Sequence, residues 1–177
     1  MRLWIGFTGY ARSGKDTAVK LMQEIDPRFR RISLGDIIKE NVDSVLQAYT
    51  GISAFTEDPV LKSAIRGFLV YHGYYWYDQI FDMFKERARA ESFLLNNRVF
   101  RLQEARWWKQ QGGFICHVVR PNLQPAEARE EYELQTLLQA GLIDAQVVNG
   151  GSIEDLKAQL KLLYLNFADK ALNAQPV

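Results

Sequence analysis

The chain has 177 residues, of which 47% are hydrophobic and 24% are charged. This composition is typical of a globular domain large enough to bury a core, and it excludes a disordered chain or a fibrous repeat. The formal net charge is +1, from 22 basic and 21 acidic residues, so no overall field favours a nucleic-acid polymer or an acidic membrane. An anion-binding site therefore has to be a local feature.

The single cysteine, Cys116, cannot form a disulfide within the chain, and the residues after Met1 lack the basic segment and cleavage site of a signal peptide. We therefore expect a cytoplasmic protein. The most aromatic stretch, residues 68–84, is interrupted by His72, Gly73 and two aspartates. It falls short of the roughly 20 apolar residues that span a bilayer, so we expect no transmembrane segment and no membrane partner.

The chain begins with the pattern of a strand, a glycine loop and a helix. Residues 3–7 form an apolar run typical of a buried strand, and residues 17–25 carry apolar side chains at helical spacing. Residues 31–34 predict a second short strand. Gly35 then breaks this pattern, and Asp36 is placed to cap a helix.

Helical patterns fill the chain from there to about residue 90. Gly51 ends the helix that Asp36 caps. Residues 56–59 open another helix, with a proline in its first turn and acids near the positive end of its dipole. We expect this second pattern to continue with a break at Gly73.

The rest of the chain alternates short apolar strands with helices, which is typical of a parallel sheet covered on both faces. Strands are predicted at residues 93–95, 114–119 and 147–148. Helices are predicted around residues 103–110 and after Ser152, which is spaced to form a capping box with Asp155. A single α/β domain, residues 1–177, accounts for all of these elements.

The segment GYARSGKDT has the spacing GxxxxGK and lies between the first strand and the first helix. Glycines allow consecutive backbone N–H groups to converge on one anion, and the helix start adds partial positive charge. A lysine at this spacing supplies a point charge to the outer phosphates of a nucleotide. The pattern predicts that ATP binds to Gly9, Ala11, Arg12, Ser13, Gly14, Lys15, Asp16 and Thr17.

Four residues around this loop have alternative interpretations. A hydroxyl of the first helical turn usually holds Mg²⁺, and here it comes one residue late, at Thr17. Asp16 stands where the common motif has Ser or Thr, so it either faces a cation or a second-substrate hydroxyl, or it stabilises the helix dipole. Arg12 either bridges donor and acceptor phosphates or points to solvent. Asn149, followed by two glycines, either contacts the adenine of ATP or forms a simple turn.

The Gly-Lys-Asp-Thr sequence in this setting resembles the phosphate loop of phage-type deoxynucleoside monophosphate kinases, relatives of dephospho-CoA kinase and the nucleoside monophosphate kinases. Weaker likenesses follow in the order found in that family. They are Gly35–Lys39, Arg66–Gly73, Gly112-Gly113 before a strand that ends in Arg120-Pro121, and Val148–Leu156.

This resemblance implies a three-layer α/β/α P-loop fold with a central, mostly parallel sheet and a helical acceptor-binding or lid insertion at about residues 36–90. It also implies that Lys15, Asp16, Arg12 and Arg66 take part in phosphoryl transfer from ATP with Mg²⁺. Asp16 and Thr17 are the candidate metal ligands.

The chain departs from the family pattern at the end of its middle strand. Such kinases usually have an Asp there, followed by an Arg and a Glu, whereas this strand ends in Asn96-Asn97. Either Asp16 or Asp36 therefore helps to hold Mg²⁺, or the metal is held mainly by phosphates, Thr17 and water.

The candidate acceptor-binding residues lie between positions 36 and 77. By resemblance, Arg66 clamps the acceptor monophosphate, with a surface arginine as the alternative. Asp36 and Lys39 either bind the acceptor or form an ion pair one helical turn apart. Trp76 belongs to a run of aromatic residues that either stacks on a base or contributes two or three side chains to the core, namely Tyr71, Tyr74, Tyr75, Trp76 and Tyr77.

The remaining polar candidates are interpreted as structural. Glu130, Glu131 and Glu133 form an acidic helix face that we expect to be solvated. Cys116 and His117 lie in a strand without metal-ligand spacing, so we expect both to be packing residues.

Three functions fit these observations. The first is transfer of a phosphoryl group from MgATP to a deoxynucleoside 5′-monophosphate (dNMP), which gives the diphosphate. The second is phosphorylation of another acceptor, in the manner of dephospho-CoA kinase. The third is nucleotide binding by a degenerate P-loop protein without transfer. The expected partners are small-molecule substrates, with no nucleic-acid polymer and with a homodimer left open, and a phage-like origin suits the resemblance.

Overall fold

The computed structural model describes residues 1–173. Its elements, in chain order, are β1 (Leu3–Thr8), α1 (Lys15–Ile25), β2 (Arg30–Arg31), α2 (Leu34–Thr50), α3 (Pro59–Tyr75), α4 (Tyr77–Arg89), β3 (Phe93–Asn96), α5 (Leu102–Gln110), β4 (Phe114–Val119), α6 (Ala128–Gln139), β5 (Ala145–Val148) and α7 (Ile153–Asn173). They form two compact units. The sheet unit contains residues 1–31 and the chain from residue 91 onward, and the helical unit contains residues 32–90.

The sheet unit has five parallel strands in the order β2, β3, β1, β4, β5. Ile5 of β1 is paired with Leu95 of β3 on one side and Phe114 of β4 on the other. Helices α1 and α7 pack together on one face of the sheet, and α5 and α6 pack together on the other. The three-layer α/β/α fold with a parallel sheet, predicted from the sequence, is confirmed.

The side chains of β1 point alternately to the two faces of the sheet, and helices cover both faces. All six residues of β1 are buried, as expected for a central parallel strand. Phe7 faces the apolar core formed with α1 and α7. On the opposite face, the ring of Trp4 lies 5.2 Å from that of Trp108 in α5. A Cβ on Gly6 would collide with Cγ2 of Val99 and lie 3.3 Å from the Trp108 indole, so this glycine leaves room for both side chains.

The start of α2 differs from the sequence prediction. Strand β2 contains only Arg30–Arg31, and Ser33 is the N-cap, because its Oγ accepts the N–H of Asp36 at 3.2 Å. The predicted second strand is therefore present but ends at Arg31 instead of residue 34, and the predictions of a break at Gly35 and of an Asp36 cap are wrong. The hydroxyl of Ser33 satisfies a free N–H of the first turn, and Asp36 lies inside that turn, where its charge favours the helix dipole.

The helical unit also corrects the predicted break at Gly73. Helix α3 begins at Pro59, as expected, and Asp58 is its N-cap, since Asp58 Oδ1 accepts the N–H of Val60 at 2.8 Å. The helix is interrupted at Trp76, between α3 and α4. Gly73 lies within α3, where a Cβ would be 2.7 Å from Cδ1 of Ile38 in α2. The glycine therefore allows close helix packing and does not end the helix.

The later elements follow the predictions closely. Strands β3, β4 and β5 cover the three predicted runs, and α5 ends just before the predicted glycines. The N–H of Asp155 donates to Ser152 Oγ at 3.1 Å, and the N–H of Ser152 donates to Asp155 Oδ2 at 2.9 Å, so the capping box is confirmed. Within residues 1–173, no helix is both long and apolar enough to cross a bilayer.

Helix α7 should contribute strongly to stability through Phe167, which is 2% exposed and stacks on Phe114 with ring centroids 4.3 Å apart. We expect Phe167→Ala to lower the free energy of unfolding by about 3–5 kcal/mol, because it leaves a cavity beside the sheet. Leu162→Ala on the same helix removes a side chain that is 70% exposed, and it should change the value by about 0.5 kcal/mol or less. Urea unfolding measures both changes, and equal effects would contradict this packing of α7.

Candidate phosphate-binding site

The loop between β1 and α1 adopts a backbone conformation that depends on its glycines. Gly9, Arg12 and Gly14 have φ angles of 128°, 66° and 105°. A side chain at Gly14 would also collide with the amide of Asn149. Gly14 is the N-cap of α1 and offers no side-chain cap, so the first-turn N–H groups of α1 have no acceptor within the helix. Such a turn is suited to bind an anion.

Lys15 places a cation inside this loop. Its Nζ donates to the backbone oxygens of Gly9 at 2.8 Å and Tyr10 at 2.6 Å. Burial lowers the pKa of Lys15 to about 8, and the nearby charge of Arg98 contributes to the shift. The two carbonyl groups hold the ammonium where a phosphate oxygen can replace them as its partner.

A cavity of about 510 Å³ opens beside the loop. Its lining carries three cationic side chains, those of Arg12, Lys15 and Arg120, and one carboxylate, that of Asp16. The full lining is Arg12, Gly14, Lys15, Asp16, Thr17, Arg120, Asn149, Gly151 and Ile153. The local excess of positive charge favours a ligand with several negative charges.

Residues that follow β4 and β5 form hydrogen bonds to the backbone of the loop that lines this cavity. After β4, Arg120 Nη1 donates to the backbone oxygen of Arg12 at 3.3 Å. After β5, Asn149 Nδ2 donates to the backbone oxygen of Ser13 at 2.9 Å. Asn149 was a sequence candidate and lies at the loop, whereas Arg120 was noted only as part of a family pattern. The sequence feature that indicates a role for Arg120 is its position directly after a buried strand. The carboxyl ends of parallel strands lie at one edge of the sheet, so a residue at that position lies near the loop.

The loop fits a nucleotide better than a free metal ion. Ser13 Oγ is buried and has no hydrogen-bond partner in the described part of the chain. Thr17 and Asp16 supply oxygen atoms in the first turn of α1, which suit a hard cation. Across residues 1–173, however, no group of three or more His, Cys, Asp or Glu side chains could hold a metal by itself. Mg²⁺ commonly completes its coordination with substrate phosphates and water, which these residues allow.

Two acidic residues of α6 contact the loop, so the prediction of a solvated face is wrong for them. The Glu130 carboxylate accepts the N–H of Ala11 at 3.2 and 3.3 Å. The hydroxyl of Tyr10 donates to Glu131, and this bond raises the pKa of Tyr10 to about 12. Both glutamates are half-buried. More than 100 residues of sequence separate them from the loop, and no local pattern signals such a contact.

His117 and Cys116 have different environments. Cys116 is fully buried in the core, and burial raises the pKa of its thiol to about 12, which confirms a packing role. His117 instead lies at the loop, because a Cβ on Gly9 would come within 3.2 Å of its Cδ2. Burial and the charge of Lys15 lower the pKa of His117. Packing alone therefore does not describe His117.

The helical unit holds the other predicted site residues. Asp36 lies in the first turn of α2, and Arg66 lies on an exposed part of α3. Lys39 Nζ lies 5.5 Å from the centre of the Phe55 ring.

The aromatic run of α3 is more exposed than the sequence suggested. Tyr77 is the member of the run that is buried, so the expectation of two or three core side chains is wrong. Four members are more than half exposed, and they are Tyr71, Tyr74, Tyr75 and Trp76. Tyr75 contacts the rings of both Tyr71 and Tyr74, with centroids 4.2 and 5.4 Å apart.

Comparison with solved structures gives likenesses to P-loop kinases. Shikimate kinase from Aquifex aeolicus matches with a TM-score of 0.54 and 15% identity, over 96% of this chain and 98% of that chain. Shikimate kinase from Acinetobacter baumannii, solved with shikimate, matches with a TM-score of 0.50 and 14% identity, over 92% and 93% of the two chains. No protein-family model and no curated protein matches the sequence. The chain therefore has the fold of the P-loop kinases.

Because the ammonium of Lys15 is buried, we expect the stability of the protein to depend on pH. The pKa of Lys15 is about 8 in the folded protein and ordinarily 10.5, so between these values Lys15 binds more protons in the unfolded chain and its contribution to stability rises with pH. Lys15→Met should abolish this rise and be more stable than wild type at pH 7, by on the order of 1 kcal/mol. Urea unfolding between pH 7 and 10 measures the free energy of unfolding of the wild type and of this variant. Lys20→Met, an exposed change on the same helix, is the control, and an unchanged rise in Lys15→Met would contradict the assignment.

Proposed function

We propose that this protein is an ATP-dependent kinase that transfers the γ-phosphoryl group to a deoxynucleoside 5′-monophosphate. The observation that carries the proposal is the cavity at the β1–α1 loop. There Lys15, Arg12 and Arg120 surround the N-terminal turn of α1. The fold shared with shikimate kinases is consistent with this class of reaction.

Phosphoryl transfer depends mainly on positioning and on stabilising charge on the phosphoryl oxygens. The N–H groups of the first turn of α1, which have no acceptor within the helix, would bind the phosphates of ATP. Lys15 would exchange its two carbonyl partners for phosphate oxygens. The guanidinium groups of Arg12 and Arg120 offer planar pairs of donors for oxygens that gain charge during transfer.

The Thr17 hydroxyl and the Asp16 carboxylate are the side chains that would hold Mg²⁺. When bound, this ion neutralises charge on the phosphate oxygens of ATP. The carboxylate of Asp16 is otherwise unfavourable beside a triphosphate, because like charges repel. Its position in the cavity lining is thus best explained by a cation.

The proposal places the acceptor on the helical unit. Arg66 would bind the monophosphate through two parallel hydrogen bonds, and the exposed aromatic rings of α3 offer faces on which a base can stack. The likeness of Gly35–Lys39 and Arg66–Gly73 to the family pattern supports a dNMP as the acceptor. An alcohol acceptor is the second candidate, favoured by Asp36 in the first turn of α2, because a hydroxyl needs a nearby group to accept its proton.

A panel of acceptors tests this proposal. We expect MgATP consumption above buffer with at least one of the four common dNMPs, measured by coupled release of ADP. MgATP at a hundred times its Kd should also stabilise the protein by about 2.7 kcal/mol, and Lys15→Ala should remove both effects. Consumption with dephospho-CoA alone would favour the alcohol acceptor. Stabilisation by MgATP without turnover on any acceptor would instead indicate a nucleotide-binding protein.

Arg66 should determine the affinity for the acceptor. Arg66→Lys keeps the charge but loses the planar pair of donors, so we expect the KM for the dNMP to rise about tenfold with no change in ATP affinity. Arg89→Lys, at an exposed site on α4 of the same unit, should leave both values unchanged. Steady-state kinetics and ATP titration measure them. A loss of ATP affinity with unchanged acceptor kinetics would place Arg66 on the donor side.

A further inference from the structure

The end of β3 reaches the phosphate-binding loop through a single side chain. Asn97 Nδ2 donates to Asp16 Oδ1 at 2.5 Å, across 81 residues of sequence. The second carboxylate oxygen of Asp16 has no hydrogen bond to the described residues, and this side chain is exposed to the cavity. One oxygen of Asp16 is therefore held, and the other is available to a ligand.

The two asparagines at this strand end have different surroundings. Asn96 is 2% exposed, and its Oδ1 accepts the N–H of Arg98 at 3.0 Å, so it shapes the turn after β3. Asn97 extends to the loop instead. Its Oδ1 is buried and has no hydrogen-bond partner within residues 1–173. A buried carbonyl without a partner costs free energy, so the contact with Asp16 is what accounts for the placement of this side chain.

The charge of the pair explains why an amide suits this position. A carboxylate at residue 97 would place a second negative charge within hydrogen-bonding distance of Asp16, and the two would repel each other. The amide supplies a donor and no charge, so the pair keeps one negative charge, located on the loop. Asn97 and Asp16 therefore form one hydrogen-bonded pair with a single negative charge.

We propose that Asn97 is a positioning residue, which holds the Asp16 carboxylate by one oxygen and leaves the other for the Mg²⁺ of a bound nucleotide. This inference rests on the proposed binding of MgATP at the loop. A free aspartate side chain samples several rotamers, and the hydrogen bond from Asn97 removes that freedom before the nucleotide arrives.

The test compares ATP affinity in Mg²⁺ with ATP affinity in EDTA, measured by calorimetric titration without any acceptor. We define the magnesium enhancement as the ratio of the two affinities. Asn97→Ala should reduce this ratio about fivefold, the effect of one lost hydrogen bond, and change the affinity in EDTA by less than about twofold. Asp16→Asn should reduce the ratio further and strengthen binding in EDTA, because a repulsive charge has been removed.

An exchange of the two side chains is the sharpest variant. Asp16→Asn combined with Asn97→Asp restores one carboxylate and one amide in the reverse order, and its magnesium enhancement should clearly exceed that of Asp16→Asn alone. Asn166→Ala, at an exposed site on α7, is the control and should match wild type. Thermal melting of each variant without nucleotide checks folding, and Asn97→Leu, of similar volume, replaces Asn97→Ala if the latter fails to fold.

The outcomes separate this inference from the proposed function. A wild-type magnesium enhancement in Asn97→Ala would overturn the positioning role, and an exchange variant no better than Asp16→Asn would show that the pair does not act as a unit. If Asn97→Ala lowers the enhancement but the wild type transfers no phosphoryl group, the role of Asn97 stands and the proposed function fails. If the wild type phosphorylates a dNMP and its Asn97→Ala variant keeps the wild-type enhancement, the role of Asn97 alone fails.

Discussion

The parallel arrangement of the sheet is the constraint on which the candidate site depends. Because all five strands run in one direction, their carboxyl ends lie at the same edge, and β1 ends there between β3 and β4. The loop that leaves β1 is therefore flanked by the chain segments that leave the neighbouring strands. Asn97 after β3, Arg120 after β4 and Asn149 after β5 each hydrogen-bond to a residue of that loop. The candidate site therefore consists of residues from several strand ends along one edge of the sheet, in addition to the glycine motif after β1.

Charge is distributed unevenly around the loop, although the whole chain is close to neutral. The cationic side chains line the cavity. The α6 carboxylates contact the loop nearer its start, at Tyr10 and Ala11, and are not part of the cavity lining. They tie the beginning of the loop to α6 while the first turn of α1 stays available to an anion. The low pKa of Lys15 reflects the cost of burying this ammonium.

The helical unit has its own core and an unusual surface. Val42 and Leu46 of α2 pack with Ile65 of α3, and α2 and α4 are joined by an ion pair between Glu40 and Arg87 at 2.6 Å. The exposed aromatic side chains of α3 are not needed for that core. A row of exposed rings on a stable helix is a suitable surface for a planar ligand, and this supports the proposal that the unit binds a base.

Local patterns in the sequence were enough to predict most elements and the glycine loop between β1 and α1. Apolar periodicity located β3, β4 and α7, and the glycine spacing located the turn before α1, because these features depend on neighbours within a few residues. Short-range errors arose where two local signals competed. Ser33 and Asp36 could each cap α2, and Gly73 could either break a helix or let Ile38 pack against it.

The tertiary structure decided which distant side chains meet at the loop. Asn97 contacts Asp16 across 81 residues, Glu130 contacts Ala11 across 119, and Asn149 contacts Ser13 across 136. The sequence identified Asn97 as a departure and Glu130 as a surface residue, since neither has a local partner that would show where it lies. Such contacts depend on strand order and on which face each helix covers. Those properties are set by packing of the whole sheet unit. The sequence pattern of a strand specifies which of its residues are buried, but it does not specify which other strand is its neighbour in the sheet.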